Sequence, residues 1–381
     1  MFGLEAEGLK QMTTSQSTDS LHPARLMLTA AVSDAEFSKK FTPSITNKPP
    51  LPVVNWAAIG QQAPQLLDTP AQLPAADVVV ITWAEAEWAA LQHVFCGSGT
   101  TMPYTKRNEG SWAGWVKYSE GAPTSLGYWG YYRLVQVASA KVLLFKSNAH
   151  YAASQGEQNL TALTNLFIKL VKPSLILSVG TAGGARTSDP IGTVNVVHSD
   201  ALYENNQPQS SWHVYTDTWA PDWSVISGKS FTDLLFAVPT TASDIQSIAT
   251  QFNQFYKTTY PLTELNPDNL NMGASTPAIN DLTKQGTALL TADSFVVATT
   301  SGNLSSFACV EMDDAVIAMA AAAKTPFGSV RNISDPIQNA TLPEAMGGHW
   351  GEAIYTAYGM YTSYNGAITT AALLMSQFAA G

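Results

Sequence analysis

Charge is what this sequence has least of. Only 13% of its 381 residues are Asp, Glu, Lys or Arg, about half the roughly 25% usual in soluble domains. Its polar surface must therefore be built from Ser, Thr, Asn and Gln. Basic residues are scarcer still, with Lys and Arg numbering 19 against 29 Asp and Glu, a net charge of −10. Without a Lys/Arg run there is no positive track for a phosphate backbone, so no nucleic acid partner is expected. Cysteine occurs twice, as Cys96 and Cys309, too few for a disulfide scaffold or a four-cysteine zinc site. Both sit in apolar surroundings and read as small buried hydrophobes. No apolar run reaches the roughly 18 residues that span a bilayer. The nearest, Ala315 to Ala323, reads as a buried helix, and no membrane association is expected. The first 20 residues carry Glu5 and Glu7 in place of a basic start and an apolar core, so no secretory signal is expected and the cytoplasm is the expected location.

What the chain does have is apolar residues, 45% of the total, enough to bury a large core. Residues 1–76 are rich in Pro, Thr, Ser and Gln, with KPPLP at 48–52. They read as an extension or arm with weak helices around Ala30–Lys40 and Trp56–Leu67. From Asp77 the pattern changes. AADVVVIT is a continuous β-branched run, as a strand buried on both faces requires, and AEAEWAALQHVF after it has helical spacing. The stretch from Gly110 to Gly130 reads as hairpin or loop. YRLVQVAS and KVLLFKS read as adjacent strands, NLTALTNLFIKLVKP as an amphipathic helix, SLILSVG as a buried strand ending in a glycine turn, and GTVNVVHSDALY as one further strand. Residues 204–285 are long, polar and weakly periodic and read as an insertion. Beyond them TALLTADSFVVAT, ACVEMDDAVIAMAAAAK, PFGSVRNIS and a final helix near 350–379 restore the alternation. Strands alternating with helices imply an α/β fold, doubly wound or a three-layer α/β/α domain over 77–381.

Ligands of open α/β sheets bind beyond the carboxyl ends of strands. Three segments end a buried strand in polar or glycine-rich residues: VVVITWAEAE, LSVGTAGGAR and VRNISDP. Singly each is weak. Gly180–Gly184 lacks the lysine of a phosphate-binding loop and the spacing of a dinucleotide fingerprint. Asp335 alone would pass for a turn residue, and Glu85 and Glu87 for first-turn acids facing a helix dipole.

Together and in this order they resemble the nucleoside phosphorylase/nucleosidase superfamily, most closely the methylthioadenosine/S-adenosylhomocysteine nucleosidase branch. The matching residues are the Gly180–Gly184 turn, Val310-Glu311-Met312-Asp313 at a helix start, and Arg331-Asn332-Ile333-Ser334-Asp335 at a strand end. The resemblance spans about 77–381, interrupted by the 204–285 insertion. It implies a mixed, partly barrel-like central sheet, no cofactor and no metal, a small-molecule nucleoside substrate, and assembly into a homo-oligomer.

The roles it implies are chemically coherent. Breaking an N-glycosidic bond leaves negative charge on the purine, which Asp335 would neutralise by protonating it, with Ser334 orienting the carboxyl. Ribose hydroxyls would be taken by Asp313, which replaces the family's glutamate and is one methylene shorter, with Glu311 available to compensate and Met312 packing against the sugar. Phe295 would stack on the base and Val296 lend its main chain, while Thr181, Ala182 and Gly183 line the turn beside the substrate. Glu87 falls on the family glutamate that activates water. The phosphorylases carry an arginine shortly before the glycine turn, where this chain has Ser178, so hydrolysis is expected. Phosphorolysis, and a non-catalytic nucleoside-binding or storage protein on the same fold, are the alternatives.

Overall fold

The computed structural model describes residues 41–97, 99–104, 114–186, 188–204, 207–223, 231–266, 277–293, 304–336 and 342–379. The expected helix at 30–40 and the base-site residues Phe295 and Val296 lie outside them.

Chain order explains the layers. After a single 3₁₀ turn at Trp56–Ile59, capped by Asn55, come β1 (Gln65–Leu66), β2 (Val78–Thr82) and α1 (Glu85–Cys96). Next are β3 (Val116–Tyr118), β4 (Gly130–Val137), β5 (Ala140–Ser147), α2 (Gly156–Leu166) and β6 (Leu175–Gly184). Then follow β7 (Val194–Val197), β8 (Ser199–Leu202), β9 (Val214–Thr216), α3 (Ala242–Tyr256), α4 (Leu262–Leu265), β10 (Ile279–Asp281) and β11 (Leu289–Thr291). The chain closes with β12 (Val310–Glu311), α5 (Asp314–Ala321), β13 (Phe327–Pro336) and α6 (Glu344–Gln377). No helix among the described residues is long and apolar enough to cross a membrane.

The strands form one mixed sheet. Strands β5, β2, β6 and β13 run parallel to one another, so their carboxyl ends lie along one edge. Side chains alternate across it. Val78, Val80, Val142, Leu144, Leu175 and Leu177 face α1, α3 and α6; Val79, Ile81, Leu143, Phe145 and Ile176 face α2 and α5. The fold is thus three-layered, and the uninterrupted apolar runs follow from burial on both faces.

Part of the sheet closes on itself. Strand β6 pairs with β13 along its length and with β12 at Gly183; β12 pairs with β11, and β11 with β8. Strands β7 and β8 form the stretch expected to be one strand, broken at His198, whose Nδ1 lies 2.5 Å from the Trp219 carbonyl. One half pairs with β13, the other with β11. The ring β6–β13–β7/β8–β11–β12 is the barrel-like part of the fold.

Three local expectations are corrected. The glycine run 180–184 does not leave the sheet as a turn. It continues β6, because Gly180 through Gly184 stay paired with Arg331 through Pro336. The expected helix over Trp56–Leu67 shrinks to one turn, because Leu66 instead joins β4 through Val135. Residues 204–285 are not wholly peripheral either, since β9 and β10 extend the sheet by pairing with β8 and β7.

The segment from residue 41 onward packs on the α3/α6 face, burying Phe41, Ile45, Leu51 and Val54. Asp244 ties it down by accepting hydrogen bonds from the Thr46 hydroxyl and the Thr241 hydroxyl, each at 2.8 Å. Thr241 in turn caps α3 through the Asp244 N–H. Asp244→Ala should cost about 1–3 kcal/mol by chemical denaturation and speed proteolysis between residues 41 and 54. Thr241→Ala should cost about 1 kcal/mol and leave that segment protected.

Candidate active site

The carboxyl edge of the parallel strands gathers a set of buried acids around one arginine. Arg331, on β13, is 2% exposed. Its Nε donates to Asp314 Oδ2 at 2.8 Å, and its Nη2 to Ser178 Oγ at 2.7 Å and to Asp314 Oδ1. Nη2 also lies 3.0 Å from Glu311 Oε2, and the guanidinium sits 5.4 Å from the Trp83 ring centre. Gly180 is required here, because a Cβ would collide with Arg331 Nη1 and Glu87 Oε1.

Glu87 is the third residue of α1 and is buried. Its Oε2 accepts from the Thr82 hydroxyl at 2.8 Å, the Trp83 N–H at 3.0 Å and the Ala84 N–H at 2.7 Å, closing the helix start. Its Oε1 accepts from the Thr181 N–H and hydroxyl, both at 2.7 Å. Burial alone would raise its pKa, but the Arg331 charge and the surrounding N–H donors reverse that and hold it below the ordinary value. Glu87 is therefore an anion.

Asp335 is its opposite. A shift in register between Ile333 and Asp335 leaves Ser334 unpaired in the β13–β6 ladder, a bulge that re-aims the carboxyl. Ser334 donates to Asp335 Oδ1 at 2.5 Å, while Oδ2 is buried with no partner among the described residues. Burial pushes the pKa up to about 7, against the smaller opposing effect of the Ser334 hydrogen bond. Two carboxyls, one at the start of α1 and one at the end of β13, are thus shifted in opposite directions by their surroundings.

Glu311 and Asp313 divide the work expected of them. The Thr291 hydroxyl donates to Glu311, which also accepts from the Asp313 N–H at 2.7 Å and the Asp314 N–H at 3.1 Å. With Arg331 also against it, Glu311 is consumed in starting α5 and is not free to compensate for the short Asp313. Asp313 Oδ1 accepts from the Tyr151 N–H at 2.9 Å, and Oδ2 lies 3.7 Å from His150 Nε2. Burial and then the Glu311 charge push its pKa well up. Met312 is partly exposed beside it. Thr181 is half-buried, and Ala182 and Gly183 are buried in β6.

Sequence reasoning named Arg331 only as part of its motif, without a role, and passed over Asp314, Asp200 and Lys146. Asp200 is fully buried, takes a 3.3 Å hydrogen bond from Ser329, and has its pKa raised by burial and by the Asp314 and Glu311 charges. Lys146 is 3% exposed. Burial lowers its pKa to about 8, although Glu87, Asp313 and Glu85 pull the other way. An arginine or lysine inside an apolar strand was the available signal, since such residues are almost never buried unless paired. No group of three or more His, Cys, Asp or Glu among the described residues is placed to hold a metal ion.

No protein-family model and no curated protein matches the sequence. Solved structures do. In fold the chain is similar to nucleosidases. The 5′-methylthioadenosine/S-adenosylhomocysteine nucleosidase of Neisseria meningitidis is 13% identical, with 78% of this chain and 98% of that chain covered at a TM-score of 0.44. The Campylobacter jejuni enzyme is 12% identical over 80% of this chain and 99% of its own, with a TM-score of 0.40. The Colwellia psychrerythraea enzyme, in complex with adenine, is 14% identical over 77% and 96%, with a TM-score of 0.39.

Arg331→Met should leave Asp314 and Glu311 as buried unpaired acids. A loss of about 3–5 kcal/mol in urea denaturation is expected, and a change below about 1 kcal/mol would contradict the central place given to this residue.

Proposed function

We propose that this site cleaves the N-glycosidic bond of a purine nucleoside or nucleoside thioether by hydrolysis. The observation that carries this reading is Asp335, a buried carboxyl with one oxygen held by Ser334, the other unpartnered, and a pKa near 7. Such a group is protonated often enough at neutral pH to donate, and a conventional surface aspartate is not.

In this reading Asp335 Oδ2 gives its proton to the base as the C1′–N bond breaks and the bonding pair leaves with the purine. Water adds to C1′ and its proton passes to Glu87; Glu87 then releases that proton to solvent, and solvent returns one to Asp335. Glu87 is a weak base, which is sufficient because the carbon being attacked already carries positive charge. Of its donors, the Thr181 hydroxyl belongs to a partly exposed residue, and turning that O–H away opens Oε1 to the attacking water. Ala182 and Gly183 line the same edge, Met312 and Asp313 meet the sugar, and Phe295 and Val296 complete the base site. The catalytic unit is residues 77–381, with 1–76 as an extension and 204–285 as an insertion, in a soluble cytoplasmic enzyme that assembles from several copies. A monomer by light scattering at working concentration would remove that last element.

Hydrolysis is favoured over phosphorolysis by electrostatics. Arg331 is committed to Asp314 and Glu311, and Lys146 is flanked by Glu87, Asp313 and Glu85. A phosphate dianion would enter a field of carboxylates. Incubation with a panel of purine nucleosides, with and without phosphate, should release free base in both buffers. Base only with phosphate would overturn hydrolysis, and no base in either would overturn catalysis in favour of a binding protein.

Asp335→Asn should lower kcat by about 10²–10⁴-fold while binding changes little. For the wild type, kcat should fall as pH rises through about 7, because only the protonated carboxyl can donate. The Asn variant should lack that limb. Near-wild-type kcat in a folded Asn variant would remove Asp335 as the acid.

A further inference from the structure

The loop after β5 places a histidine opposite Asp313, and its hydrogen bonds decide what that histidine can do. The Ala152 N–H donates to His150 Nδ1 at 3.1 Å. Nδ1 is therefore the acceptor nitrogen, and the ring proton of neutral His150 sits on Nε2. Burial, with the Lys146 charge next, pushes the imidazole pKa down to about 4, so the ring is neutral near pH 7. The loop is rigidly held. Ala149, the preceding residue, accepts at its carbonyl from the Trp83 indole at 2.8 Å and from the Ser147 hydroxyl at 2.7 Å. The Tyr151 N–H that follows His150 binds the Oδ1 of Asp313 itself.

Nε2 and Asp313 Oδ2 face each other at 3.7 Å, too far for a hydrogen bond. Neither atom has another partner among the described residues. One is a donor and the other an acceptor or, when protonated, a donor as well. Their side chains retain 14% and 5% exposure, so the pair is not sealed off. A hydroxyl group set beside the pair, about 2.8 Å from each atom, could accept from Nε2–H and donate to Oδ2, satisfying both at once. That is also what the shorter Asp313 needs, because Glu311 is unable to help it.

We propose that His150 and Asp313 form a two-sided clamp for one ribose hydroxyl of the substrate, with His150 as the donor and the residue that selects ribonucleosides over the corresponding deoxynucleosides. This rests on the nucleoside-cleaving reading of the site.

The test compares adenosine with 2′-deoxyadenosine and 3′-deoxyadenosine, measuring both binding by calorimetry and turnover. The wild type should favour adenosine over one of the two deoxynucleosides by about 10–100-fold, the scale of a hydrogen bond to a charged or polarised partner. In His150→Ala and His150→Asn, which cannot reach that hydroxyl, adenosine should weaken by that factor while the disfavoured deoxynucleoside stays within about twofold. His150→Gln carries an N–H₂ to the position of Nε2 and should recover a substantial part of the preference. A loss shared equally by all three substrates, or no loss in any variant, overturns the clamp; the Gln variant separates loss of the donor from loss of the loop. The outcomes distinguish the two readings. Turnover with a His150-independent preference sinks the clamp alone. His150-dependent binding without turnover sinks cleavage alone. A protein that neither binds nor cleaves any of the three sinks both.

Discussion

The site is organised by a shortage of positive charge. Glu87, Asp200, Glu311, Asp313, Asp314 and Asp335 are buried, and the buried cations among the described residues are Arg331 and Lys146. All six acids cannot be ionised in a low-dielectric interior with so little compensation. Burial pushes Asp200, Glu311, Asp313 and Asp335 up, and only at Glu87, where N–H donors act together with Arg331, is that reversed. The Arg331 guanidinium grips Asp314 directly and lowers the Glu87 pKa. Asp335 has no cation shaping its titration and drifts upward. The opposite shifts of Glu87 and Asp335 thus follow from the donors and cation gathered at one and from unrelieved burial at the other.

The fold delivers this arrangement by closing part of the sheet. Residues 311–314 enter from α5 and β12, 331–335 from β13, 178–183 from β6 and 87 from α1. Only the ring of pairings through Gly183 brings the start of α5 against the other strand ends. Gly180 lets Arg331 and Glu87 approach the β6 backbone. The single-residue irregularity at Ser334 turns Asp335 away from the alternation the rest of β13 obeys. Long helix α6 seals the opposite face, where Asn365 holds the Gly192 and Phe236 carbonyls at 3.0 and 3.1 Å, so the strand ends are backed by packed structure.

The hydrolysis proposed for this site would ask little of Glu87 as a base and much of Asp335 as an acid, in keeping with their opposite pKa shifts. Glu87 is also part of the frame: it closes the first turn of α1 and fixes Thr181. Its replacement by Gln would set an amide N–H₂ against several N–H donors, so its structural and chemical roles are not separable by that substitution.

The α/β alternation and the buried strands were legible along the chain, because continuous β-branched runs are local patterns; Glu87, Asp313 and Asp335 stood out as candidates only through the family resemblance. Strand breaks were not. His198 splits GTVNVVHSDALY because its two halves meet different partners, and the glycine run stays in β6 because β13 pairs with it; neither partner is a sequence neighbour. Nor could sequence assign the acids their protonation states. That depends on which carboxyl gathers N–H donors and a cation and which is only buried, through contacts across strands and not along them. His150 makes the same point. In sequence it is an isolated polar residue, and only the packing of its loop against α5 sets Nε2 3.7 Å from Asp313 Oδ2. Sequence by itself determined the layers, because those follow from periodicity and composition, and it offered candidate residues only through resemblance. Tertiary structure decided which residues face one another, because burial and Coulomb interaction act through space.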